Sequence, residues 1–79
     1  MSINLQKDRW YLTELYPWTY AFKFSHIGSW KNTDGLVYHS EIYTKYNEEV
    51  SYQVELDWSS FKVKDCIEID VEEWKAQNL

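Results

Sequence analysis

Between Leu36 and Trp58 apolar and polar side chains alternate with a period of two. Leu36, Tyr38, Ile42 and Tyr46 occupy even positions, and Val50, Tyr52, Val54, Leu56 and Trp58 continue that parity. His39, Glu41, Lys45, Ser51, Gln53, Glu55 and Asp57 fill the odd positions. Successive strand side chains point to opposite faces, so this pattern predicts a β-hairpin with one apolar and one wet face. A helix would scatter the same residues around its circumference.

The pattern begins earlier. Trp10, Leu12, Tyr16, Trp18, Tyr20, Phe22 and Phe24 are also even, with Thr19, Lys23 and Ser25 supplying the polar alternation. A strand is predicted over Trp18–Ile27. Trp10–Tyr16 reads as a strand in preference to a helical turn. Pro17 lacks the amide a central strand needs, so it marks a bend or an edge between two strand pieces. Residues 1–9 are weakly patterned and predicted to be irregular or frayed.

Asn32-Thr-Asp-Gly35 has the chemistry of a bulged hairpin loop, with Gly35 in the left-handed conformation. Asn32 then lies opposite Leu36, and the register runs Trp30 with Tyr38, Gly28 with Ser40, His26 with Ile42 and Phe24 with Thr44. Gly28 marks a bulge or a place where another group crowds the backbone. For the connection at Asn47-Glu48-Glu49, a three-residue loop pairs Ile42 with Val54 but sets Glu41 against Glu55. A five-residue loop sets His39 opposite Glu55 instead. Both keep the apolar faces together, and like charges directly across a ladder count against the first.

After Ser59-Ser60 the parity changes to odd with Phe61, Val63, Ile67, Ile69 and Val71. Asp65 falls in that apolar register and predicts a break, leaving Cys66–Asp70 as a strand. Asp70-Val-Glu-Glu73 has the spacing of a capping box ahead of Trp74, so a helix from about Val71 to Asn78 follows. So short a helix does not stand alone in water and must be held by packing, chiefly of Trp74.

Eleven aromatic residues (Trp10, Tyr16, Trp18, Tyr20, Phe22, Phe24, Trp30, Tyr38, Tyr46, Tyr52 and Trp58) share this parity. A short helix and an amino-terminal segment offer little to cover them. The sheet is expected to curl on itself, to pair with a second copy, or to leave rings exposed for a ligand. The expected fold is one domain over residues 1–79, mainly β. It is a four- to five-stranded antiparallel meander, strongly curled or barrel-like, closed by the short carboxy-terminal helix.

Composition narrows the function. With 44% hydrophobic and 19% aromatic residues the chain is not of the disordered class. No apolar run follows the first charges as in a signal peptide, and none has the length of a membrane span. Cys66 is the single cysteine and demands no oxidising compartment, so the cytoplasm is the expected location. The net charge of −5 is uneven. Residues 1–47 carry four acids and five cations, whereas residues 48–79 carry nine acids against Lys62, Lys64 and Lys75. Such a carboxy-terminal half works against direct nucleic-acid binding, and gives either a solvated surface or an acidic face for a basic partner.

Little catalytic chemistry is encoded. His26 and His39 fall on opposite faces of neighbouring strands, and no His-x-x-x-His or Cys-x-x-Cys spacing points to a metal. No motif joins Cys66 or a serine to a histidine. Glu48-Glu49 and Glu72-Glu73 are adjacent pairs whose side chains diverge. Phosphate-cradling glycine loops are absent, and no cofactor is expected. The expected function is therefore a non-enzymatic interaction module, an acidic inhibitor or modulator of a partner protein. Its surface is Tyr43 among Glu41, Gln53, Glu55 and Asp57, extended by Glu48, Glu49 and Trp30. In character, though through no motif, the chain is similar to small acidic accessory proteins that phages direct against host enzymes, some of which imitate nucleic acid. The alternatives are a sugar- or nucleotide-binding domain using exposed rings and a structural homodimer.

Overall fold

The computed structural model describes residues 4–79. Five strands form one antiparallel sheet: β1 (Trp10–Leu15), β2 (Trp18–Trp30), β3 (Thr33–Tyr46), β4 (Glu49–Ser59) and β5 (Ile67–Glu68). The first four follow one another as a meander and β5 joins the far side of β1, giving the order β4-β3-β2-β1-β5. The sheet is open, with β4 and β5 as its two edges, and the expected barrel-like curl does not form. A 3₁₀ turn over Val63–Asp65 breaks the chain where Asp65 interrupts the apolar pattern. The helix α1 (Val71–Asn78) ends the chain.

All three hairpins turn through two residues, and this overturns the single apolar face read from parity. In a two-residue hairpin the flanking residues pair, so an even position on one strand faces an odd position on the next. Tyr16-Pro17 joins Leu15 to Trp18, and the register continues with Tyr11 opposite Phe22. Asn47-Glu48 joins Tyr46 to Glu49, so Ile42 faces Gln53, Tyr43 faces Tyr52 and Glu41 faces Val54. Asn47 takes a left-handed φ of 55°, which asparagine tolerates better than most residues. Neither the three- nor the five-residue loop occurs, and the Glu41–Glu55 opposition does not arise. Phe22 and Val54 therefore lie on opposite sides of the sheet.

The first long hairpin departs in a second way. Its turn is Lys31-Asn32, with Lys31 at φ 56°, and Trp30 pairs with Thr33. Gly35 is left-handed as expected, at φ 75°, but it sits within β3 where Asp34 and Gly35 together oppose Ser29. Further register shifts at Ser25 and Ser40 leave Gly28 opposite Leu36, His26 opposite Tyr38 and Phe24 opposite His39. Each bulge inserts one residue and reverses which parity faces which side.

Both faces are consequently apolar, and each is covered by a different part of the chain. On one, Tyr11, Phe22, Phe24, Val37, Ile42, Phe61 and Cys66 form the buried core. The segment leaving β4 supplies its cover: Phe61 lies 5.2 Å from the Phe22 ring and 4.9 Å from Tyr20. The amino-terminal segment adds Leu5. Residues 4–9 are irregular, as expected, but they are tied down rather than frayed. The Asp8 amide donates to the Phe24 carbonyl, the Phe24 amide to the Arg9 carbonyl, and the Gln6 amide to the Tyr11 hydroxyl. Residues 1–3, which belong to the same expectation, lie outside the described residues.

On the other face α1 packs through Trp74, whose ring is 5.6 Å from Tyr43; Tyr43 in turn lies 5.8 Å from Trp10 and 4.4 Å from Tyr52. The helix starts where its sequence predicts. Asp70 is the N-cap, and its carboxylate accepts from the amides of Glu72 and Glu73. The rings are thereby divided between two faces, and Tyr16, Trp18, Trp30, Tyr46, Tyr52 and Trp58 remain exposed on the open sheet.

Gly28 is crowded by Tyr38. A Cβ built there would stand 2.6 Å from Tyr38 Cε1, and the Tyr38 ring is stacked on His26 at 4.5 Å. Alanine in place of a strand glycine ordinarily gains about 0.5–1 kcal/mol. Here the ring must leave its stack, and Gly28→Ala is expected to cost about 1–3 kcal/mol instead. A lowered urea midpoint checks this, and a raised one contradicts it.

Candidate functional site

As the outermost strand, β4 has one backbone edge hydrogen-bonded to β3 and the other edge free. Its sequence, EVSYQVELDWS, keeps the alternation of a half-buried strand, yet its side chains lie in solvent. Val54 is 68% exposed, Leu56 59%, Tyr52 46% and Trp58 39%. Tyr52 and Val54 stand on the helix side of the sheet, opposite Tyr43 and Glu41, and Trp58 continues that side opposite Tyr38. From α1, the Trp74 ring packs near Tyr43, beside this row. A register shift between His39 and Glu41 places Glu55 and Leu56 in a bulge.

Electrostatics distinguishes the acids around this edge. Glu41 is half-buried and already occupied, since it accepts the Tyr52 hydroxyl and pairs with the Lys23 ammonium at 3.3 Å. The Tyr52 hydroxyl, followed by Lys23, holds the Glu41 carboxyl below its ordinary range against the opposing effect of burial. The same bond pushes the Tyr52 hydroxyl up to about 12. Glu49, Glu55 and Asp57 are exposed. Among the described residues the ion pairs take up Glu68, Glu41 and Glu72, so the acids of β4 retain their full field. No lysine or arginine lies on the strand.

The residues singled out from the sequence are thus partly brought together. Glu41, Tyr43 and the Tyr52–Val54 row share the helix side, while Gln53 and Asp57 face the other way, opposite Ile42 and His39. Tyr43 is not an exposed ring in an acidic setting; it is half-buried between Trp10, Tyr52 and Trp74. Glu48 lies in the β3–β4 turn and Glu49 begins β4 beside it. Trp30 stands at the opposite end of β3 from them, 53% exposed, with the Lys31 ammonium 6.0 Å from its ring. Parity places Val54 and Leu56 on the apolar face, yet both lie in solvent. Their exposure depends on the turn length, which the residues Asn47-Glu48-Glu49 do not fix.

Among the described residues His39 is the one titratable core side chain with an unpartnered polar atom. It is 3% exposed, its Nε2 is 2.9 Å from the Ser59 hydroxyl, and its Nδ1 has no partner. A serine beside a histidine is the start of a nucleophilic pair, but Nδ1 lacks an orienting carboxylate bond and the imidazole is closed to a substrate. Cys66 is likewise buried, and burial pushes its thiol up, away from the reactive thiolate. Among the described residues no three His, Cys, Asp or Glu side chains come together as metal ligands. No helix among the described residues is long and apolar enough to cross a membrane.

Burial also holds the His39 imidazole below its usual value, against a smaller opposing pull from Asp57. The unfolded chain therefore binds a proton near the ordinary histidine range, about pH 6.5, before the folded chain does. Stability is complete above that point and declines as pH falls from there through the depressed value. Urea midpoints are expected to drop between about pH 7.5 and 5.5, and the drop should shrink in His39→Gln. Equal slopes for the two proteins would contradict the assignment.

In a comparison with known proteins, no family model matches this chain, and neither does any curated protein or solved structure.

Proposed function

We propose that this protein is a non-enzymatic interaction module that takes up an extended, basic segment of a partner protein along the free edge of β4. One observation carries the reading: an edge strand of 11 residues leaves an apolar row in water beside acids that no cation on the strand neutralises. An extended peptide adds to such an edge through main-chain hydrogen bonds, while alternate side chains supply specificity. Acids and bulges on an edge also deter self-pairing. The two roles agree, because charges that repel a second copy attract a cationic strand. A basic surface that ordinarily binds nucleic acid meets the same requirement, and occupying it would make this chain a modulator of its partner.

The test uses two peptides, one alternating valine with lysine and one alternating valine with glutamate, followed by intrinsic tryptophan fluorescence, to which Trp58 on β4 contributes. The lysine peptide is expected to bind, more weakly as salt rises. Neutralising Glu49, Glu55 and Asp57 together, as E49Q, E55Q and D57N, should weaken it about tenfold, at up to about 0.5 kcal/mol per exposed charge. Equal binding of both peptides, or an unaffected triple variant, would refute the proposal.

A further inference from the structure

The helix side of the sheet also holds a recess, at the end where the β1–β2 and β3–β4 turns meet α1. It is a cleft of about 500 Å³. Glu14, Thr19 and Lys45 lie side by side across β1, β2 and β3 along its wall, as partners in the ladder. Asn47 reaches it from one turn, Tyr16 from the other, and Gln77 from the last turn of α1. Trp74 and Leu12 give it an apolar floor. This lining, drawn mostly from residues 1–47, differs in character from the acidic carboxy-terminal half. It holds one acid and one cation, and the Lys45 ammonium already donates to the Asn78 side chain at 2.7 Å.

The chemistry of that set selects among ligands. A phosphate or carboxylate needs converging cations or a fork of donors, and a single engaged lysine beside a glutamate does not provide them. A cationic ligand would find one acid and a competing ammonium. Amides and a threonine hydroxyl both donate and accept, and hydroxyl groups of a ligand do the same. An aromatic face complements the C–H face of a sugar ring, and the Tyr16 ring, 99% exposed, is fully available for that contact.

We propose that this cleft binds a neutral saccharide, with Tyr16 as the stacking platform and Asn47 and Gln77 as partners for its hydroxyls. The site is separate from the β4 edge and does not depend on the function proposed for that edge. Being open, it suits a stretch of oligosaccharide chain better than a free monosaccharide.

The experiment follows the side-chain amide resonances of Asn47 and Gln77 in the ¹⁵N-labelled protein during titration with cellohexaose, maltohexaose and chitohexaose, and separately with ATP and glucose 1-phosphate. Saturable shifts with at least one neutral oligosaccharide are expected, and weaker ones with the charged ligands. Tyr16→Ala should weaken that binding about tenfold. Because the ring is in solvent, its removal should leave the melting temperature unchanged. The absence of saturable shifts with all three oligosaccharides would overturn the proposal. So would tighter binding of the charged ligands, or a Tyr16→Ala protein that binds as the wild type does.

Discussion

Phe22→Ala is expected to abolish the cooperative unfolding transition or bring it close to room temperature. Phe22 has no exposed surface, and its ring lies between Tyr11 at 6.0 Å, Phe61 at 5.2 Å and His39 at 6.1 Å. Truncating a buried phenylalanine costs about 3–5 kcal/mol. Small domains hold only about 5–15 kcal/mol in all, and one of this size sits toward the lower end. The informative control is Val54→Ala. Parity along the sequence places Val54 beside Phe22, whereas the two-residue turn at Asn47-Glu48 moves it to the other side and into solvent. Its truncation should cost no more than about 0.5 kcal/mol. Thermal melts of the two variants check both statements, and comparable losses would show that the register of β4 is wrong.

The second large effect belongs to Trp74. It is 8% exposed and is the only buried residue of α1, which has eight residues. A helix that short has no stability of its own. Trp74→Ala therefore removes the anchor of α1 and uncovers Tyr43. A cost of about 3–5 kcal/mol corresponds to a fall in melting temperature of more than about 10 °C for a chain this small. Far-ultraviolet circular dichroism should register loss of the helix, while the hairpins remain below the transition. A melting temperature within a few degrees of wild type would contradict this account of how the helix side is covered.

These two residues also show what the sequence made legible. Trp74 and its helix were readable because the signals are local: Asp70 caps, Glu73 follows at the capping spacing, and the apolar ring comes next. The antiparallel meander was readable for a similar reason, since each strand carries its own alternation. The assignment of faces was not readable, because it depends on whether each turn and bulge contributes an odd or even number of residues. Asn47-Glu48 and Lys31-Asn32 lack the asparagine–glycine pair that would have announced a two-residue turn. The bulges at Ser25 and Ser40 carry no glycine to mark them. Each uncounted residue reverses a face, and this divides the single aromatic surface implied by parity between two partly covered faces, with Trp30, Tyr46, Tyr52 and Trp58 still exposed. Tyr43 accordingly moved from the surface into contact with Trp74, and Val54 and Leu56 moved from the core into solvent. The acidic character of Glu49, Glu55 and Asp57 needed no register, and their exposure stands as read.

That β4 is a free edge able to accept another strand is tested most directly by amide hydrogen exchange along Glu49–Ser59, with and without the valine–lysine peptide. In the protein alone, amides turned toward β3 should exchange slowly and those turned outward rapidly, in alternation along the regular part of the strand. Saturation with the peptide should slow the outward set and leave the inward set as it was. Outward amides already protected at micromolar protein would mean that a second copy occupies the edge, and outward amides still fast under saturating peptide would mean that the peptide binds elsewhere; either result contradicts the account.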